Sequence, residues 1–238
     1  MSAPQPSPPL STDPAKMHAA RTAASLVRSG MLVGLGSGST AALTIGFLAE
    51  RRQAEKLELV GVATSEASAN LARSLGIPLV DLDDCGSIDL TIDGADEVDA
   101  NLAMIKGRGG ALLREKLVAV ASLRRIYVVG RSKRVGRLGE SAPLPVEVAA
   151  FGIKHTERRL QTLGAETQVR KTLDGRLFVT DGGNALIDCR FGAIVDPEGL
   201  NVRLKSIVGV FETGLFLNLC DTLIVGDDTG AEVMETWI

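Results

Sequence analysis

The sequence predicts an α/β protein in which a parallel sheet covered by helices is followed by a smaller α+β unit. Three observations carry this. From residue 13 to about 135, short apolar runs alternate with helix-like segments, the grammar of a parallel sheet with crossover helices. After Lys133 the order becomes strand, helix, strand, strand, helix, strand, which is that of a split, ferredoxin-like unit. The tail DTLIVGDDTGAEVMETW then supplies two more strands, placed to return to the first sheet. The expected organisation is a disordered tail over 1–12, a first domain made of 13–135 plus 209–238, and a small α+β domain over 136–208.

Each element has a local reason. The first helix is expected from Asp13 as N-cap, Pro14 at the first helical position, apolar Met17, Ala20, Ala24 and Val27, and Gly30 as stop, so it should end near Ser29. The strand MLVGLG runs into SGST, and AALTIGFLAERR resumes a helical pattern. The strand LELVGVAT, the helix SEASANLARSLG and a short strand IPLVDL follow. IDLTI, the helix ALLREKLVAVASL and the strand RIYVVG complete a Rossmann-like run. In the second domain LPVEVAA leads to the helix KHTERRLQTLG, then ETQVRKT, the turn LDGR, the strand LFVT, the turn DGGN and the strand ALIDC. A helix near DPEGLNVRLKSI and the strand GVFET close it.

Composition removes several classes of function. At 238 residues, 45% hydrophobic and 23% charged, the chain can bury a full core. No apolar run approaches the roughly 18 residues that span a bilayer, so no membrane association is expected. A net charge of −3 and an aromatic content of 3% offer neither the basic stripe nor the stacking rings of a nucleic-acid binder. Cys85, Cys189 and Cys220 are widely spaced and point to free thiols in a reducing compartment. The opening MSAPQPSPPLST lacks the charged start and apolar centre of an export signal, and its Pro and Ser content reads as disorder. The expected location is the cytoplasm.

In open parallel sheets, ligands bind outside the carboxyl ends of the strands. Three chemically rich stretches sit just there: GLGSGST after the first strand, DGADEVD after IDLTI, and GRSK after RIYVV. All three are expected on one rim. GLGSGST fails as a dinucleotide fingerprint, because the third Gly position is Ser39 and LVGVATS ends the second strand without an acid. It fails as a Walker A loop because no Lys precedes Ser39 and Thr40. What remains is a glycine turn at a helix N-terminus with three hydroxyls, Ser37, Ser39 and Thr40, suited to one phosphate monoester or chosen only for tight packing.

DGADEVD sets four carboxylates into seven residues. Its spacing fails the alternate-acid pattern of a calcium loop, and the scattered Cys, His18 and His155 fail the close pairs of a zinc site. Alone it reads as a polar turn that ends a strand. KGRGG is a second flexible loop whose Lys106 is able to neutralise an oxygen in the same pocket. Glu115, on the helix that follows, reads by itself as a solvated neighbour of Lys116. Lys16 stands in the first turn of a helix, where a cation opposes the macrodipole; a bound anion would relieve this, as would simple exposure.

In this order and at these spacings, GLGSGST, DGADEVD, KGRGGALLREK and GRSK resemble the type A ribose-5-phosphate isomerase family. The likeness runs from about Lys16 to the C-terminus and includes PLPVEV and GLF. It implies interconversion of ribose 5-phosphate and ribulose 5-phosphate in the pentose phosphate pathway, through an enediol, with no metal and no other cofactor. It also implies a Rossmann-like domain with a small α+β domain, assembled as a homodimer or homotetramer. Carried over by motif, the substrate-binding turn is Ser37, Gly38, Ser39 and Thr40, and the DGAD loop is Asp93, Gly94, Ala95 and Asp96. The second loop is Lys106, Gly107, Arg108 and Gly109; Lys133 is a further substrate contact and Lys16 is associated with the phosphate. Glu115 becomes the base on carbon, while Asp93, Asp96 and Lys106 serve ring opening and the oxygens, Asp93 being the choice for ring-opening proton transfer. Glu97 and Asp99 are expected to solvate or cap the loop. Arg108 departs from the family pattern, which has Gly there in many relatives. Two rivals from other classes are a CoA transferase with a Glu nucleophile and a non-catalytic sugar-phosphate sensor; the second needs a DNA-binding segment that a 12-residue Pro-rich tail does not supply.

Overall fold

The computed structural model describes residues 11–235. Apart from Ser11 and Thr12, the expected disordered tail therefore lies outside the described residues, as does Trp237. In chain order the first elements are α1 (Pro14–Ser25), β1 (Met31–Leu35), α2 (Ser39–Glu55), β2 (Leu59–Ala63), α3 (Glu66–Ser74), β3 (Leu90–Gly94), β4 (Glu97–Val98), β5 (Met104–Ile105) and α4 (Leu112–Val120). They continue with β6 (Arg125–Gly130), β7 (Leu144–Val148), α5 (Ile153–Gln161), β8 (Glu166–Val169), β9 (Ala185–Arg190), α6 (Pro197–Lys205), β10 (Val210–Thr213), β11 (Leu215–Phe216), β12 (Thr222–Gly226) and β13 (Ala231–Glu235). The chain divides into two compact units: residues up to Gly94 with 117–132 and 219 onward, and residues 95–116 with 133–218.

The first unit holds a six-stranded sheet in the order β13-β12-β6-β3-β1-β2. Every pairing in it is parallel except that of β12 with the edge strand β13. The tail strands thus join this sheet. β1 has β2 on one side and β3 on the other, with Leu35 opposite Ala63 and Ile92. That reversal of strand order is the place where open sheets bind ligands, and it sets the residues after Leu35 beside those after Ile92. Helix α1 packs closely through buried Ala19, Ala20, Ala23 and Ala24. Its approach leaves no room on Gly226, where an added Cβ would lie 1.9 Å from the Ala15 carbonyl oxygen.

Two expectations change here. Asp13 caps α1 by accepting from the Ala15 N–H at 3.0 Å, as foreseen, but the helix ends at Ser25 rather than near Ser29. The Arg51 guanidinium takes the Ala24 and Val27 carbonyls at 2.6 and 2.9 Å, satisfying groups that a longer helix would have used. IPLVDL forms no strand, only an isolated bridge of Gly61 with Leu79, because Pro78 brings an acceptor but no donor to the ladder.

The second unit contains an antiparallel sheet in the order β10-β7-β9-β8. With α5 and α6 between strands, this is the ferredoxin-like β-α-β-β-α-β order. Val146, Val148, Leu160, Ile187, Leu200 and Leu204 are central to its core. LFVT is not a strand of that sheet; Leu177 and Val179 make isolated bridges to Lys171 and Ala185. A small sheet, β11-β5-β4, was not expected. It gathers Ala95–Lys116 into this unit, although the sequence pattern groups those residues with the first domain.

Candidate active site

In the first unit the glycine turn is held by Asp93. Its Oδ1 accepts the N–H of Ser37 at 3.0 Å and that of Gly94 at 2.7 Å, and the residue is only 1% exposed. A Cβ on Gly36 would stand 2.2 Å from that same oxygen, so glycine is required there for the carboxylate to reach the backbone. Gly38, with φ of 88°, is the N-cap of α2, a conformation that favours glycine. Ser39 and Thr40 follow in the first turn of α2, where unsatisfied N–H groups and the helix dipole favour an anion. The Lys16 ammonium donates to the Ser39 hydroxyl at 3.2 Å, which joins two residues 23 positions apart in one cluster.

Ser37 behaves differently from its neighbours. Its hydroxyl meets Thr64 and Ser65 at 2.7 Å and Ser68 at 3.4 Å, while the Ser68 hydroxyl donates to the Gly36 carbonyl at 2.6 Å. The turn is therefore fixed from behind by three hydroxyls of TSEAS that sequence reasoning missed. Their only signal was a Ser at the N-cap of α3, and Ser65 does fill that cap.

The second unit carries Asp96, Lys106, Arg108, Glu115 and Lys133. The Lys106 ammonium lies 3.5 Å from Glu115 Oε1, with side-chain exposures of 3% and 5%. A buried pair of this kind is strongly interdependent, since removing one partner strands the other charge. Glu115 is thus no solvated neighbour of Lys116. The Lys116 ammonium instead donates to Glu212 at 2.9 Å and to the Thr213 and Leu215 carbonyls at 2.8 Å, and burial pushes it below the ordinary lysine range against the pull of Glu212. Both ammonium groups lie against the Phe216 ring, at 5.3 and 4.8 Å.

Asp96 accepts the Arg108 N–H at 3.0 Å, so the acidic loop and the KGRGG loop are tied together through backbone. Gly107 and Gly110 both have positive φ, 106° and 86°. Lys133 is half-buried, next to the bridge between Arg134 and Val98. Glu97 does not solvate the loop: it is fully buried and accepts from the backbone of Gly139, Ser141 and Ala142 and from the Ser141 hydroxyl, at 2.5 to 2.6 Å. Asp99 does cap, taking the Asn101 and Ala103 N–H groups at 2.9 Å. Among the described residues no group of three or more His, Cys, Asp and Glu is arranged to hold a metal ion, and no helix is long and apolar enough to cross a membrane.

Fold and groups together define a class: an α/β protein with an open parallel sheet, an anion-type glycine turn and a buried Lys–Glu pair. Residues 60–230 match the family model described as ribose 5-phosphate isomerase A (phosphoriboisomerase A). A ribose-5-phosphate isomerase A of Synechococcus sp. (strain JA-3-3Ab) is 47% identical over 226 residues, covering 94% of this chain and 98% of its own. That of Gloeobacter violaceus is 50% identical, covering 94% and 97%. Among solved structures, ribose 5-phosphate isomerase A of Methanocaldococcus jannaschii superposes with a TM-score of 0.88 at 38% identity, covering 93% of this chain and 98% of its own. A D-ribose-5-phosphate isomerase in complex with phospho-erythronic acid gives 0.89 at 36%, covering 93% and 97%. The chain belongs to the ribose 5-phosphate isomerase A family.

Proposed function

We propose that this chain is an aldose–ketose isomerase interconverting D-ribose 5-phosphate and D-ribulose 5-phosphate. The observation that carries the reading is the buried Lys106–Glu115 pair, in a chain of this family. A carboxylate shielded from water beside a fixed cation is equipped to move a proton on carbon while charge develops on a neighbouring oxygen. In the forward direction Glu115 takes the proton from C2 of the open-chain aldehyde. The released pair forms the C1–C2 double bond, and the aldehyde oxygen gains a proton, giving the enediol. Return of the proton to C1, with loss of the C2 hydroxyl proton, yields the ketose.

Lys106 stabilises the changing oxygens, Asp96 assists them, and Asp93 serves ring opening. Ser39, Thr40 and the N–H groups at the start of α2 take the phosphate with Lys16 and Lys133. Ser37 and Gly38 shape that turn, while Gly94, Ala95, Gly107, Arg108 and Gly109 line the loops. The complex of a solved relative with phospho-erythronic acid supports a phosphorylated occupant. The CoA-transferase and sensor readings draw no support from the relatives. We take the enzyme to be metal-independent, cytoplasmic, and a homodimer or homotetramer. A coupled assay of ribulose 5-phosphate formation tests this: turnover should survive EDTA, and absence of turnover, or its loss on chelation with recovery on adding a divalent ion, would contradict the proposal.

A further inference from the structure

The KGRGG loop is gripped by a residue that no sequence motif marked. Arg170 follows β8 directly, and its own backbone is anchored at both groups, its N–H on the Leu186 carbonyl at 2.9 Å and its carbonyl taking the Phe178 N–H at 3.1 Å. Its guanidinium serves two masters. Nε and Nη2 form a fork on the two oxygens of Asp188. Nη1 donates to the carbonyls of Gly107 and Arg108, at 2.9 and 3.0 Å.

Those two carbonyls belong to consecutive peptides, whose oxygens repel when aimed at one point unless a cation stands between them. Asp96 holds the same stretch from the other direction through the Arg108 N–H. The start of the loop is also fixed, the Lys106 N–H donating to the Gly214 carbonyl at 2.9 Å. Phe178 completes the support: it lies 5.9 Å from the guanidinium, and a Cβ on Gly110 would meet its ring at 2.5 Å. A simple ion-pair staple to β9 needs only the Nε and Nη2 contacts with Asp188 and leaves the two Nη1 contacts unexplained.

We infer that Arg170, oriented by Asp188, is a positioning residue for the isomerase reaction: it locks the peptides of Gly107 and Arg108 and so fixes Lys106 beside Glu115. The inference rests on the proposed reading of Lys106 and Glu115 as reacting groups. Arg suits the task because its planar fork holds both oxygens of Asp188 through Nε and Nη2 while Nη1 reaches two carbonyls, four contacts that the three donors of an ammonium do not match.

The test compares Arg170→Lys, Arg170→Ala and Asp188→Asn with a control, Asp221→Asn, which breaks the similarly exposed Arg125–Asp221 pair of the first unit. Small misplacement of a reacting group costs up to about 100-fold. Arg170→Lys should therefore lose about 10- to 100-fold in kcat with KM within about threefold, and amide exchange at 106–110 should quicken. Ethylguanidinium should restore part of the activity of Arg170→Ala. Asp188→Asn should move kcat the same way by less, and Asp221→Asn should leave kcat unchanged. A folded Arg170→Lys with near wild-type kcat and unchanged exchange at 106–110 overturns the inference. If the Arg170 variants do not fold, an Asp188→Asn protein with wild-type kcat and loop exchange overturns it equally. A wild type inactive on both sugar phosphates sinks the isomerase reading, and this inference falls with it.

Discussion

The glycine turn of the first unit and the Lys–Glu pair of the second are built on opposite principles. Around Gly36 the donors are backbone N–H groups and neutral hydroxyls, with the Lys16 ammonium on Ser39, and the buried carboxylate of Asp93 holds the turn from below the surface. Around Glu115 a carboxyl and an ammonium group stand 3.5 Å apart, almost out of reach of water. On the proposed reading, the backbone and hydroxyl donors of the turn take up or release an anion without altering their own charge state. In a buried pair, any change in one partner changes the other. On the proposed reading, binding and proton transfer fall to groups that can be perturbed separately.

The largest effect should come from breaking the pair. Lys106→Met removes the cation 3.5 Å from the buried Glu115 carboxyl, with an expected loss of about 3 to 5 kcal/mol in stability. It should also lose about 10²- to 10³-fold in kcat, the usual cost of a lost charge stabiliser. Thermal unfolding and the coupled assay read both, and a variant near normal in each would deny that the pair is interdependent. The matching change in the turn, Ser39→Ala with Thr40→Ala, should spare kcat and stability. Since hydrogen bonds to charged groups contribute about 1.5 to 3 kcal/mol each, KM should rise at least about tenfold; a normal KM would move the phosphate elsewhere.

A smaller effect is expected far from either region. Burial raises the tendency of Asp221 to hold a proton, but hydrogen bonds from Arg125 outweigh it and keep the carboxyl below its ordinary value of 3.8. A group so depressed contributes stability that is complete above the unfolded value and is lost as pH falls through the folded one. Asp221→Asn should thus lower Tm at pH 7 by about 2 to 4 °C for each kcal/mol lost, and the two curves should converge as pH drops below 3.8. A gap that persists in acid would assign the loss to packing. The smallest effect concerns the thiols. Burial pushes Cys189 and Cys220 up to about 12, so iodoacetamide near pH 8 should modify Cys85 alone of the three and leave turnover unchanged. Modification of a second thiol in the native state would show one of those buried positions to be open.

The same contrast explains what was legible in the sequence. The parallel sheet and the later ferredoxin-like order followed from period and punctuation, and the turn announced itself because Gly36 and Gly38 answer local steric demands. Glu115 did not announce itself: a Glu followed by a Lys on a helix reads as surface, and only the fold turns Lys116 toward Glu212 while Glu115 meets Lys106. Arg170 and Asp188 left no signal, since their partners are backbone carbonyls 62 and 63 residues away and a carboxylate on the next strand. Helix α1 stopped early because Arg51, 24 residues beyond Val27, took its carbonyls. The misread strands IPLVDL and LFVT are runs with the right composition whose backbone groups found only isolated bridges.

Glu115→Gln tests the central claim most directly, because it keeps the size and helical position of the side chain and removes the group assigned to carbon. It also takes the carboxylate from beside Lys106, so stability is measured alongside. Both enzymes should be assayed in heavy water, with deuterium located in the recovered sugar. The wild type should wash solvent deuterium into C1 or C2, while the variant, folded and with KM little changed, should lose about 10² to 10⁴ in kcat and incorporate none. Near-normal turnover with deuterium still entering carbon would contradict the assignment and return the choice of base to Asp93 or Asp96.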